Sequence, residues 1–73
     1  MPANETKDKD HDLIWFVEAC LDNAVRLEAF IRDADRAHDP ELAELFRKAQ
    51  ADSRKGARMG KELLLSRLAA AET

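Results

Sequence analysis

Leu13, Val17, Cys20, Ala24, Leu27, Ile31 and Ala34 follow one another at spacings of four, three, four, three, four and three residues. An α-helix turns once in about 3.6 residues, so this alternation predicts a helix packed along one stripe for three heptads. The stripe is broad. Ile14 and Leu21 widen it on one flank, and Phe16 and Phe30 widen it on the other. That width suits a bundle of more than two helices better than a two-stranded seam.

The pattern breaks at Arg36-Ala37-His38-Asp39-Pro40. Proline disfavours helical geometry at the residue before it and fits the first turn of a new helix. Asp39 is therefore the expected N-cap, and Glu41 adds negative charge at the positive end of the helix dipole. The expected organisation is a disordered tail over 1–9, helix one over about 11–37, a turn at 37–39 and helix two over about 40–70. The second seam reads as Leu42, Phe46, Ala49, Ser53, Gly56, Gly60 and Leu63. No strand-like alternation occurs anywhere, so the predicted fold is an all-α antiparallel hairpin.

Size decides what such a hairpin must do next. The chain has 73 residues, 37% of them charged and 45% hydrophobic. Each helix would be ~40 Å long at 1.5 Å per residue. Two helices share one interface and enclose no core, and chains this short rarely stabilise themselves without help from a metal, a disulfide or oligomerisation. The single cysteine excludes an intrachain disulfide. A homodimer forming a four-helix bundle, or a higher assembly of hairpins, is the expected solution. The longest strongly apolar run, Leu13–Val17, is too short for a bilayer span, and the charged N-terminal stretch does not read as a signal peptide. The expected partner is the chain itself, with a further protein partner open and no membrane. The expected setting is cytoplasmic.

Four features are candidates for function. Gly56 and Gly60 lie inside helix two, where each costs about 1 kcal/mol relative to alanine. Close packing against Phe16, Trp15 or a partner helix would offset that, as would a groove for an apolar ligand. Trp15, Phe16 and Phe30 are expected at a contact between copies, because large aromatics concentrate at interfaces. Glu28 follows Ile14 and Leu21 at seven-residue spacing, which puts a carboxylate on the rim of the stripe. It reads as a rim ion pair with Arg32 or Lys48, or as a metal ligand with Asp52 roughly opposite. Arg47, Arg54, Arg58 and Lys61 share one face of helix two. They would pair with the acidic first helix of a neighbouring copy, or contact phosphate or another acidic partner. The acidic balance (12 Lys+Arg against 15 Asp+Glu) and the lack of interleaved aromatics disfavour nucleic acid. Cys20 reads as a small buried hydrophobe, and His11 and His38 as solvated or capping residues. No nucleophile–base set and no phosphate-cradling loop can be assembled, so neither an enzyme nor a cofactor is expected.

The hairpin pattern, Glu28 within Arg26-Leu27-Glu28-Ala29-Phe30, and the Asp39-Pro40-Glu41-Leu42-Ala43-Glu44-Leu45-Phe46 opening of helix two resemble half of a ferritin-like bundle. Encapsulated ferritins are short hairpins of this kind that complete the bundle by dimerising. The resemblance covers about residues 12–68 and implies a dimeric four-helix bundle. The family's di-iron site pairs a helix-one Glu, which Glu28 matches, with a Glu-x-x-His on helix two. The corresponding stretch here reads Ala49-Gln50-Ala51-Asp52-Ser53-Arg54-Lys55-Gly56, without that motif. The resemblance therefore implies fold and assembly rather than iron oxidation. The expected function is a small non-enzymatic interaction or structural module acting as a homo-oligomer. The alternatives are a metal-binding half-bundle using Glu28, or a regulator binding an acidic partner through the basic face.

Overall fold

A computed structural model describes the backbone of residues 5–72 and the side chains of 9–70. Two helices account for almost all of it: α1 (Glu5–Arg36) and α2 (Pro40–Glu72). They pack against each other as an antiparallel hairpin, and no strand occurs among the described residues. Helix α1 begins at Glu5, earlier than the apolar pattern indicates, so the latter half of the segment read as a tail is helical. Residues 1–4 of that segment lie outside the described residues.

The reversal is made by backbone capping from both sides. His38 adopts a left-handed φ of 56°. The His38 N–H then donates to the Asp35 carbonyl at 3.1 Å, and the Asp39 N–H reaches back to the Ala34 carbonyl at 3.0 Å. This pair of bonds satisfies carbonyls that the end of α1 would otherwise leave open. Asp39 also caps α2: its Oδ1 accepts from the Leu42 N–H at 3.1 Å. One residue thus closes one helix and opens the next, which keeps the connection at three residues.

On α1 the buried side chains are Val17, Ala24, Leu27, Ile31 and Ala34, which follow the heptad seam. On α2 the seam is displaced by one residue from the expected one at alternate positions. Ala43, Gln50, Ala57 and Gly60 are buried, with Phe46, Ser53 and Leu64 partly so. Leu42 and Leu63, expected in the seam, are 38% and 46% exposed. They sit beside the contact, not within it.

The interface is small-residue lined and close. Among the described residues four of the seven buried apolar ones are alanines, and no large side chain is fully buried. A methyl group at Gly60 would stand 2.5 Å from Val17 Cγ2, so glycine is what lets the helices approach there. At Gly56 the corresponding distances are 3.1 Å to Cys20 Sγ and 3.3 Å to Phe16 Cζ, tight but less severe. Leu27 and Ile31 of α1 pack into this contact, and most of the other large side chains lie around it. The molecule measures 53 × 25 × 14 Å. Its least dimension is close to the ~10–12 Å diameter of one helix, so it is a single layer with two open faces.

Candidate functional site

The two faces of this layer differ in charge. Phe16, Asn23 and Phe30 flank the α1 seam on one side, and Leu42, Ala49, Gly56 and Leu63 flank the α2 seam on the same side; none is charged. Contacts across the hairpin confirm that the two flanks share a face. The Phe30 and Phe46 rings meet at 5.5 Å in a tilted arrangement. Asn23 Nδ2 donates to Ser53 Oγ at 2.8 Å. The Phe16 ring lies over Gly56. Phe16 and Phe30 nevertheless stay 50% and 46% exposed. The space above both glycines is taken up by the Phe16, Val17, Cys20 and Leu13 side chains, which is the steric use of glycine.

The other face carries the charges. Arg47 is held by Asp35, with 2.8 Å between Nη2 and Oδ2. Arg54, Arg58 and Lys61 instead line a groove with Leu21, Ala57, Glu62 and Leu65. The four cations grouped by sequence therefore divide: one is engaged within the hairpin, and three border open apolar surface.

Glu28 lies on this charged face. Neither Arg32 nor Lys48 pairs with it. Gln50 Nε2 donates to Glu28 Oε2 at 2.8 Å and to the Ala24 carbonyl at 3.0 Å. Gln50 is the buried polar residue of the core, and both protons of its amide are used in these bonds. Leaving such an amide unpaired would cost roughly 1–3 kcal/mol, so Glu28 serves as its partner. Asp52 is exposed, and the heptad register puts it on the Ser53 side of α2, away from Glu28. Among the described residues no group of three His, Cys, Asp or Glu side chains comes together as a metal site.

Trp15 is 64% exposed and stacks on His11, with ring centroids 6.1 Å apart and planes 14° from parallel. It stands on the outer side of α1, apart from Phe16 and Phe30. Gln50 was absent from the residues singled out by sequence. Its signal was the regular series Ala43, Phe46, Gln50, Ser53, Ala57, Gly60, Leu64, which alternates three and four as cleanly as the helix-one seam does.

Among the described residues no helix is long and apolar enough to cross a membrane. No protein-family model, curated protein or solved structure matches the chain.

Proposed function

We propose that this chain is a non-enzymatic helical module that works as a homo-oligomer, two hairpins docking through their uncharged faces to form a four-helix bundle. The observation that supports the reading most strongly is the uncovered apolar surface. Among the described residues twelve large hydrophobic side chains are exposed, and the hairpin's own interface buries none fully. On the uncharged face and its margin, Phe16, Phe30, Leu42, Leu45, Met59 and Leu63 are each between 38% and 60% exposed. At roughly half exposure these six leave about 600 Å² of apolar surface open per chain, near the ~800 Å² per partner that stable interfaces bury. The centre of the face, from Phe16 to Phe30 and from Leu42 to Gly56, carries no charge, so two copies can meet there without burying an unpaired ion; Lys9, Asp12 and Arg67 border it at Leu63, and Asp52 lies on its margin between Leu45 and Met59. The likeness to half of a ferritin-like bundle fits the same assembly.

The residues favour this reading over a metal-binding half-bundle. Glu28 is committed to Gln50, Asp52 is on the other side of the helix, and α2 carries no histidine. Transition metals bind weakly to sites without imidazole or thiolate. Protein purified without chelators is expected to carry no stoichiometric iron or zinc by elemental analysis and to show no ferroxidase activity. Stoichiometric metal that disappears in a Glu28→Gln variant would overturn the assignment in favour of the metal-binding alternative.

A further inference from the structure

A contact through the uncharged faces leaves the opposite face of each hairpin open, and that face is also apolar. Ile14, Leu21 and Val25 from α1 and Leu65 and Leu68 from α2 are all exposed, Val25 by 71% and Leu65 by 65%. A groove of about 340 Å³ runs between Leu21 on one helix and Ala57 and Leu65 on the other. It continues past Arg54 into a recess lined by Leu21, Ala24, Val25 and Glu28. Arg54, Arg58 and Lys61 stand along its α2 edge. None of the three is in an ion pair among the described residues, whereas Arg47, farther along the same face, is.

We propose that this groove docks an acidic amphipathic helix of another protein. The apolar ridge of that helix would lie against Leu21, Val25 and Leu65, with its carboxylates at Arg54, Arg58 and Lys61. From Arg54 to Leu65 the α2 wall is about 16 Å long, three helical turns, and matches anchors spaced i, i+3/i+4, i+7. Arginine is suited to the edge, because its planar fork takes a carboxylate through two parallel bonds.

Charge argues against a second copy as the occupant. A two-fold contact through this groove would bring together six cations, from Arg54, Arg58 and Lys61 of each chain, against only Glu28 and Glu62 of each. Glu28 already accepts from Gln50. Like charges gathered in one interface cost affinity, and an acidic partner relieves that cost. The inference rests on the homo-oligomer reading in one respect: it takes this face as lying outside the contact between copies.

The test uses the full chain and three labelled synthetic peptides read by fluorescence anisotropy. One carries leucines along a single helical stripe flanked by glutamates. The second keeps the stripe but has lysine flanks. The third has the composition of the first with its leucines scattered around the helix. Only the first is expected to bind. Its affinity should fall about tenfold in Arg54→Glu/Arg58→Glu, and severalfold as salt rises from about 0.05 to about 0.3 M. Lys48→Glu/Lys55→Glu makes the same change of charge on the outer side of α2 and should leave binding unchanged. Equal binding of the scattered or the lysine-flanked peptide would overturn the proposal, as would undiminished binding to Arg54→Glu/Arg58→Glu. A tetramer that dissociates in that variant would assign the groove to a second copy and overturn it too. A chain that sediments as a monomer yet binds the acidic peptide would retire the self-assembly reading alone. A dimer that binds none of the peptides would retire this one alone.

Discussion

Gly60→Leu is expected to lower the melting temperature by roughly 5–15 °C at fixed protein concentration, the counterpart of about 1–3 kcal/mol of overpacking. The cause is local. Even the first carbon of a side chain at Gly60 would stand 2.5 Å from Val17 Cγ2, with Phe16 Cδ2 and Leu13 Cδ1 close behind at 3.5 and 3.7 Å. Val17 is β-branched and buried, so its side chain has little freedom to turn aside. Relief requires the helices to part, which uncovers Ala57 and Val17 as well. Gly60→Ala pits the same clash against a helix-propensity gain of about 1 kcal/mol and should still lose stability. At Gly56 the balance reverses. A methyl group there meets Cys20 Sγ at 3.1 Å and the half-exposed Phe16 ring, which can move outward. Gly56→Ala should therefore be neutral or mildly stabilising. Thermal melts of these variants, followed by circular dichroism, check the order. A Gly60→Leu protein that melts above the native chain would mean that Gly60 does not lie between the helices.

The second large effect is expected from charge on the uncharged face. On the proposed docking of two hairpins through this face, Phe16→Glu/Phe30→Glu should leave single chains. A two-fold contact would bury four carboxylates near the centre of that face, where the nearest cations of the recess at Leu63, Lys9 and Arg67, stand only at its end, at a cost of several kcal/mol per ion. A single hairpin is one layer thick and should also lose part of its helicity, because its own interface is lined mainly by alanine. Val25→Glu, on the charged face and 71% exposed, is the matched control and should keep the native mass. Should Val25→Glu dissociate the particle and the phenylalanine variant not, the copies meet through the other face.

Helix α1 and the reversal were legible because their signals are local. The seam alternates without interruption, and Asp39-Pro40 combines a capping side chain with a residue suited to the first turn of a helix. The α2 seam was not legible in the same way. Its apolar stripe is wide, and Leu42 starts the expected seam one residue early, a shift that recurs at Ala49, Gly56 and Leu63. The contact instead takes in Ala43, Gln50, Ala57 and Leu64, and Leu42 and Leu63 stay beside it. Gln50 was hidden for a related reason. A buried amide is acceptable only with partners, and those partners, Glu28 and the Ala24 carbonyl, lie on the other helix. The same nonlocality reassigns Glu28 from an ion pair to an amide partner, and it withdraws Arg47 from the basic set through Asp35. Trp15 is one position from Phe16, a rotation of about 100°, which puts it beside His11 on the outer side of α1 and not on the face of Phe16 and Phe30.

The solution mass of the native chain tests the central claim most directly. Sedimentation equilibrium over a range of micromolar concentrations should fit a particle of at least twice the chain mass, because the uncovered phenylalanines and leucines need a second layer. A folded particle of one chain mass, helical at all of those concentrations, would show that a single hairpin is stable with both faces in water and would contradict the account.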